Sequence, residues 1–489
     1  MTEQGTTRTP GDLPLVENWP TDQAADALLE ELIVQRAVQS YLWALPAMNV
    51  VAMKEGAERV FGPGYNVMPI WRRRLDAKTK ITTPNSDVIY AMAFLDLDRD
   101  GPMVIEVPPG LQGILDDFWQ RPLTGPLTDN PLGLPTPDGR RWFGDVGLVG
   151  PDEGRGGRFV VLPPDFQETE PDDGFVFRSR TYGVFIFWRA FFRDPADLAE
   201  PVAAMEQTRI YPLRREGQAA AMQFPEGSGV AADLLFPRDS TYFDMLARFI
   251  QHEYVDPTEM DMRGMLASLG IVKGRPFTPD PGTRALLDRA ALTAFKMSKA
   301  MVSHGTRELP GGVLWEDRQY INAFMGGDPF FRGESYLDLD NRIAYFTNAY
   351  SLSPAMAMSI VGKGAKYPVG LRDADGDLLS GSHSYRLRLP PDIPAKLFWS
   401  VTVYDAEHGS GLDNGQPLPS LNSMDAPERE ADGSTDVHLG PERPEGARNW
   451  LRTVPGRGFF VIIRLYGPDK AYFDGDWKPD DIVRIAAPG

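Results

Sequence analysis

Asn85, Asp87 and Tyr90 place an amide, a carboxylate and a phenol within one short stretch, where the turn Pro84-Asn85-Ser86-Asp87 enters a strand. On the rim of a cleft, Asp87 could act as a general base and Tyr90 as an acid or oxyanion donor. Strand alternation puts Asp87 and Ile89 on the face opposite Val88 and Tyr90, so the turn must twist for Asp87 and Tyr90 to converge. The plainer reading is an Asx-turn, with Asn85 and Asp87 bonding their own backbone and Tyr90 in the core.

A second candidate surface is Phe398-Trp399-Ser400-Val401-Thr402-Val403-Tyr404-Asp405. Alternation sends Trp399, Val401, Val403 and Asp405 to one side and Phe398, Ser400, Thr402 and Tyr404 to the other. Ser400 and Thr402, flanked by aromatics, could line a pocket floor, or the run could be a central strand packed between sheets. No Gly-x-Ser-x-Gly elbow surrounds Ser400, which argues against a serine nucleophile there. Arg180 and Arg464 lie in or at the end of apolar strands, where an unpaired guanidinium is costly. Each needs a carboxylate partner or an anionic group of a ligand.

The five histidines, His252, His304, His383, His408 and His438, show no metal-binding spacing. No metal ligand set and no cofactor is therefore predicted, although distant residues could still assemble one. His383 and His408, just outside strands, are the better candidates for a site histidine. Asp373-Ala374-Asp375-Gly376-Asp377 fails the calcium-loop template and reads as a turn. No phosphate-binding loop or dinucleotide fingerprint is present.

Around these groups the chain is organised by proline. Three β-forming runs stop at Pro108-Pro109, Pro163-Pro164 and Pro390-Pro391, since proline cannot donate to a ladder. Strands are expected at Val88–Leu97, Met103–Val107, Phe159–Leu162, Phe175–Arg180 and Val184–Phe187, and again at Ser384–Leu389, Leu397–Tyr404, Gly458–Tyr466 and Ile482–Ile485. Turn clusters separate the first group, among them Thr136-Pro137-Asp138-Gly139. Between the two groups the period is helical, over 194–225, 240–255, 258–269, 283–304 and 337–350. A helix capped by Thr21 should run to about Leu45, with Pro46 ending or kinking it. The expected fold is thus α+β or mainly β: a flexible arm (1–20), a helix and first antiparallel β-sandwich (21–192), a helical layer (193–358) and a second sandwich (359–489). The loop-rich stretch 405–455 should serve function or contacts.

The 489 residues carry 50 basic and 68 acidic side chains, a net charge of −18. That sign disfavours nucleic acid and anionic membrane surfaces as partners. With no cysteine, disulfides, thiolate metal sites and cysteine nucleophiles are excluded. The sequence shows neither a signal-peptide pattern nor an uninterrupted apolar span, so a cytoplasmic location is expected.

The run Tyr41-Leu42-Trp43-Ala44-Leu45-Pro46, with Thr83-Pro84-Asn85-Ser86-Asp87-Val88-Ile89-Tyr90 and Phe159-Val160-Val161-Leu162-Pro163-Pro164, resembles the family named domain of unknown function 1254. Asp375-Gly376, Leu378, Gly381, Tyr385, Phe398 through Tyr404, Asn449-Trp450-Leu451 and Arg464-Leu465-Tyr466-Gly467-Pro468 resemble its usual partner, domain of unknown function 1214. The resemblance, over roughly residues 30–485, implies two β-sandwich-like units linked by helices. It implies no settled activity; members have been suspected of hydrolytic or lyase-type action, and many are exported. Where the family often has Asn-x-Asp-Thr-x-Tyr, Val88 replaces the threonine.

The expectation is a cofactor-independent hydrolase or lyase acting on a small organic or carbohydrate-like molecule between the units. Asp87, Tyr90 and Asn85 would be catalytic, with Arg180, Arg464, Trp399, Tyr404, His383 and His408 binding substrate. The alternatives are a non-catalytic binding or assembly protein and a metal-dependent enzyme. Homo-oligomers are compatible with the sequence.

Overall fold

The computed structural model describes residues 9–125, 142–357 and 361–486. The expected turn at Thr136-Pro137-Asp138-Gly139 lies outside them, as do residues 1–8 of the expected arm. Residues 10–20 form a short 3-10 turn and a hairpin pairing Leu15–Val16 with Trp19–Pro20.

Helix α1 (Asp22–Phe61) begins as the sequence predicts, with Thr21 Oγ1 accepting from the Ala24 N–H at 3.3 Å. It does not end near Leu45 but continues through Pro46 for a total of 40 residues. A proline inside a helix costs about 3 kcal/mol. Here it is offset because the segment around it is buried on nearly every side, including Leu42, Ala44, Leu45, Ala47, Met48, Val50 and Val51.

The first sandwich comprises β1 (Ile89–Asp96), β2 (Met103–Val107), β3 (Gln112–Asp117), β4 (Gly157–Leu162), β5 (Phe175–Arg178) and β6 (Gly183–Ala190). In one sheet β6 lies antiparallel between β3 and β1; in the other β4 lies between β2 and β5. Ile89, Ala91, Ala93 and Leu95 of β1 pack against Met103, Ile105, Phe159 and Val161 of the facing sheet.

The second sandwich is built on β7 (Ser384–Leu389), β8 (Ala395–Asp405), β9 (Thr435–Gly440) and β10 (Phe459–Pro468). β8 pairs antiparallel with β10, and β7 pairs antiparallel with β9. Trp399, Val401, Val403, Val461, Ile463 and Leu465 fill its core against Tyr385, Leu387, Val437 and Leu439. The strands β2, β4 and β7 stop where their proline pairs begin.

Helices α2 (Thr241–His252), α3 (Pro281–Ala300) and α4 (Leu339–Asn348) form a layer with α1. The helix expected over 194–225 is mostly absent. Ala199–Met205 is α-helical and Leu213–Gln218 a 3-10 helix, while Arg209–Pro212 between them adds a strand to β2. Ile210 and Tyr211 supply the alternation that a sheet edge selects. The pairing is also not wholly antiparallel: β4 runs parallel to β5, and β9 to Trp450–Arg452. Among the described residues, no helix is long and apolar enough to cross a membrane.

Candidate ligand-binding cavity

The side-chain period of two that builds each sandwich core also sends alternate residues outward, toward the other sandwich. On β1 and β6 these are Tyr90, Phe187 and Arg189; on β10 they are Phe460, Ile462, Arg464 and Tyr466. The outward faces, with α4 and the chain that follows it, enclose a cavity of about 130 Å³. That is roughly ten times the ~10–15 Å³ one water needs, enough for a small organic molecule.

The wall is apolar and aromatic with a few polar groups: Thr83, Asn85, Tyr90, Arg189, Tyr345, Asn348, Tyr350, Ser351, Tyr367, Arg464 and Tyr466. It contains two guanidiniums, and among the described residues no Asp, Glu, Lys or His lines it. Arg464 is 3% exposed and donates to Thr402 Oγ1 at 3.2 Å and to the Thr83 and Pro84 carbonyls at 3.3 and 3.4 Å. All three acceptors are neutral. Burial works against its charge and the surrounding phenols of Tyr404, Tyr466, Tyr90 and Tyr367 work for it; the net direction is upward, so it stays a guanidinium. Arg189 is partly exposed overall, yet its Nε is buried with no hydrogen-bond partner among the described residues.

Burial pushes the phenols of Tyr90, Tyr345 and Tyr466 well above the usual tyrosine range. They are therefore neutral donors that cannot neutralise the arginines. Asn85 does two things at once. Its Oδ1 accepts the Asp87 N–H at 2.8 Å, closing the Asx-turn, and its Nδ2 donates to the Tyr466 hydroxyl, joining the two sandwiches at the cavity wall.

Asp87 lies outside the lining. Its fully buried carboxylate accepts from Arg74 at 2.9 Å and from Asn422 Nδ2 at 2.8 Å, and Arg74 also bonds Asp425 at 2.6 Å. Two of these partners come from the loop-rich stretch 405–455, so part of that stretch clamps the Asp87 turn to the second sandwich.

Models of two protein families match the chain. "Protein of unknown function (DUF1254)" covers residues 65–212, and "Protein of unknown function (DUF1214)" covers residues 364–470. The two matches stand in the order that the sequence resemblance implies, DUF1254 before DUF1214. Of the cavity wall, Tyr90, Phe187 and Arg189 fall in the first match, and Tyr367, Phe460, Arg464 and Tyr466 in the second. Tyr345 to Ser351 lie between the two matches.

Among solved structures, the VPA0106 protein of Vibrio parahaemolyticus is similar, at 17% identity and a TM-score of 0.51 over 93% of this chain and all of that one. That likeness shows a shared fold. An uncharacterized protein from Burkholderia cenocepacia aligns over 94% of this chain and 97% of its own, at 15% identity and a TM-score of 0.38. No curated protein matches.

The remaining residues singled out from sequence are dispersed. Tyr404 stacks on Phe460 and donates to the Pro84 carbonyl at 2.6 Å, just behind the wall. Trp399 points the other way, into the second sandwich core. Arg180 has the carboxylate partner that its position demands, Asp256, at 2.6 Å. It borders a separate cleft of about 520 Å³ where Arg121 is likewise paired, with Asp117 and Glu259. His383 accepts from Arg484 at 3.0 Å beside β7.

His408 meets Asp405 and Glu407 within reach of one cation. Asp405 is already paired with Arg457 and Glu407 with Arg238, so the local charge is compensated without a metal.

Sequence reasoning missed Arg189, although the logic that flagged Arg464 applies to it: an arginine in the apolar run Gly183–Ala190, on the Phe185 and Phe187 face. Tyr345, Tyr350 and Ser351 carried no local signal, because a helix end brings them to the wall.

Proposed function

We propose that the cavity between the sandwiches binds a small organic anion with an apolar body, held by Arg464 and Arg189 and by neutral phenol donors. The carrying observation is the imbalance of charge: two guanidiniums on the wall and no carboxylate among its described residues. A buried cation without a counter-ion is costly, and a carboxylate ligand supplies the missing charge through paired, charge-assisted hydrogen bonds. The aromatic wall suits a flat or branched hydrocarbon body.

This reading favours binding through Arg464 over acid–base work by Asp87, whose carboxylate is engaged with Arg74 and Asn422 away from the cavity. Tyr90, as a neutral phenol on the wall, keeps the donor role expected of it. Calorimetry with benzoate and its neutral isostere benzamide tests the proposal. Benzoate should bind and benzamide should bind at least tenfold more weakly; equal affinity for both would remove the anionic reading.

A further inference from the structure

We infer that Ser351 is a nucleophile of this cavity and Asp116 its proton acceptor, which makes the site competent to cleave a small ester that retains a free carboxylate. The inference rests on the anion-binding reading of the same cavity and adds a reaction to it.

Ser351 sits in the turn between α4 and the short helix Pro354–Ala357, with φ at +59°. An L residue avoids that left-handed region unless its surroundings impose it. Here three buried side chains do so, Asp116 at the end of β3, Gln120 just after it and Tyr345 from α4. The Gln120 side-chain carbonyl accepts the Ser351 N–H, the Tyr345 hydroxyl donates to the Ser351 carbonyl at 2.6 Å, and Ser351 Oγ donates to Asp116 Oδ2 at 3.1 Å. Gln120 is itself held at φ +57°, with its Nε2 donating to the Pro46 carbonyl at 2.5 Å. A serine fixed on a strained turn at a cavity wall shares its backbone strain with a nucleophile elbow, here with the hydroxyl held on Asp116. The protein reaches it without the Gly-x-Ser-x-Gly sequence.

The ordinary alternative is a satisfied core serine at a helix end. Asp116 speaks against it. Its side chain is fully buried, no ion pair reaches it among the described residues, and Oδ1 has no hydrogen-bond partner among them. The carboxyl also takes the Leu352 backbone N–H, yet it is an expensive acceptor for one hydroxyl and one N–H, which a neutral asparagine would serve without burying a titratable group. Burial, with Asp117 and Asp145 nearby, holds this carboxyl well above the usual carboxylate range, which strengthens it as a base once ionised.

In the reaction, Ser351 Oγ bonds to the ester carbonyl carbon while its proton passes to Asp116. The wall's phenols and guanidiniums donate to the oxyanion. The tetrahedral adduct collapses, the carbon–oxygen bond to the alcohol breaks, and the alcohol leaves with the proton from Asp116. Water then gives a proton to Asp116 and adds to the acyl carbon. Release of Ser351, reprotonated by Asp116, yields one acid and one alcohol per ester and water consumed. Arg464 would hold the second carboxylate of the substrate.

The test uses the full chain, with mono-4-nitrophenyl succinate as substrate and phenylmethanesulfonyl fluoride as covalent probe, read by nitrophenolate release and peptide mass mapping. Wild type should hydrolyse the ester and carry the sulfonyl group on Ser351. Ser351→Gly suits the positive φ, so it should fold, and it should lose both signals. Asp116→Asn keeps shape while removing the base, and should slow hydrolysis and labelling about a hundredfold or more. Neither hydrolysis nor labelling at Ser351, or equal rates in both variants, overturns the dyad. If benzoate still binds in an Arg464-dependent way, the anion site survives that result; if it does not, both readings fall.

Discussion

Replacing Arg464 with methionine separates a ligand-binding arginine from a structural one, because the two roles predict opposite changes in stability. The guanidinium is 3% exposed, and its three hydrogen bonds, at 3.2, 3.3 and 3.4 Å, are long. Two of the three acceptors keep another partner without it: the Pro84 carbonyl has the Tyr404 hydroxyl at 2.6 Å, and Thr402 Oγ1 has Ser420 Oγ at 3.0 Å. Only the Thr83 carbonyl loses its donor, at a cost of about 1–3 kcal/mol. Against that stands the removal of a buried cation with no counter-ion, and exchanging buried charge for apolar volume has gained about 1–4 kcal/mol elsewhere. The two nearly cancel, so the free protein should keep its stability to within about 2 kcal/mol.

Binding should behave differently. Two charge-assisted bonds to a carboxylate contribute at least about 3 kcal/mol together, so benzoate affinity should fall about a hundredfold or more. Urea denaturation at unchanged slope and calorimetry with benzoate measure the two quantities independently. A variant that loses more than about 4 kcal/mol of stability while binding benzoate as before would show that Arg464 ties the sandwiches together, and would refute the argument from uncompensated charge.

Asp87→Ala should show the reverse pattern. Removing a fully buried carboxylate leaves Asn422 Nδ2 without its acceptor and Arg74 with Asp425 alone, at about 1–3 kcal/mol in urea denaturation, while benzoate affinity changes less than about threefold; unchanged stability would contradict the clamp role. Glu253 gives a pH dependence. Burial raises its carboxyl from 4.5 to about 7, despite bonds from the Tyr182 and Gly183 N–H groups. A folded pKa above the unfolded one means its contribution is complete below about pH 4.5 and lost as pH rises through about 7. Wild type should therefore lose up to ~3 kcal/mol of stability between pH 5 and 8, and Glu253→Gln should flatten that fall. Parallel curves for the two proteins would reject this role for Glu253.

The strands were legible where chemistry punctuates them. β2, β4 and β7 end at proline pairs, and Phe398 to Tyr404 splits between faces as its alternation requires. Helix α1 was misjudged because proline is a local signal, whereas the burial that carries the helix past Pro46 comes from distant segments. β3 and β9 were missed: Gln112–Asp117 ends in two acidic residues, and Thr435–Gly440 is half polar, so neither reads as a strand without its neighbours. At the site, Asn85, Tyr90 and Arg464 reached the wall, and all three lie on or beside strands whose facing follows from period two. Ser351 and Asp116 could not be paired from sequence, since 235 positions separate them.

The same alternation explains why a cavity exists between the sandwiches at all. A β-sheet that fills a sandwich core with one face must dispose of the other, and here the outward faces of β6 and β10 each carry an arginine among aromatics. Two such faces cannot close on one another as a dry core, because the Arg464 guanidinium would then be buried without a counter-ion. The wall therefore stays open around them and lined with donors, and Asn85 and the Asp87 clamp fix the sandwiches from the side. An arginine-free version of these faces could pack more tightly and be more stable, but it would have nowhere to put an anion. On the anion-binding reading, the charge imbalance is a cost to folding that a bound carboxylate would offset, which is why loss of Arg464 should separate stability from binding.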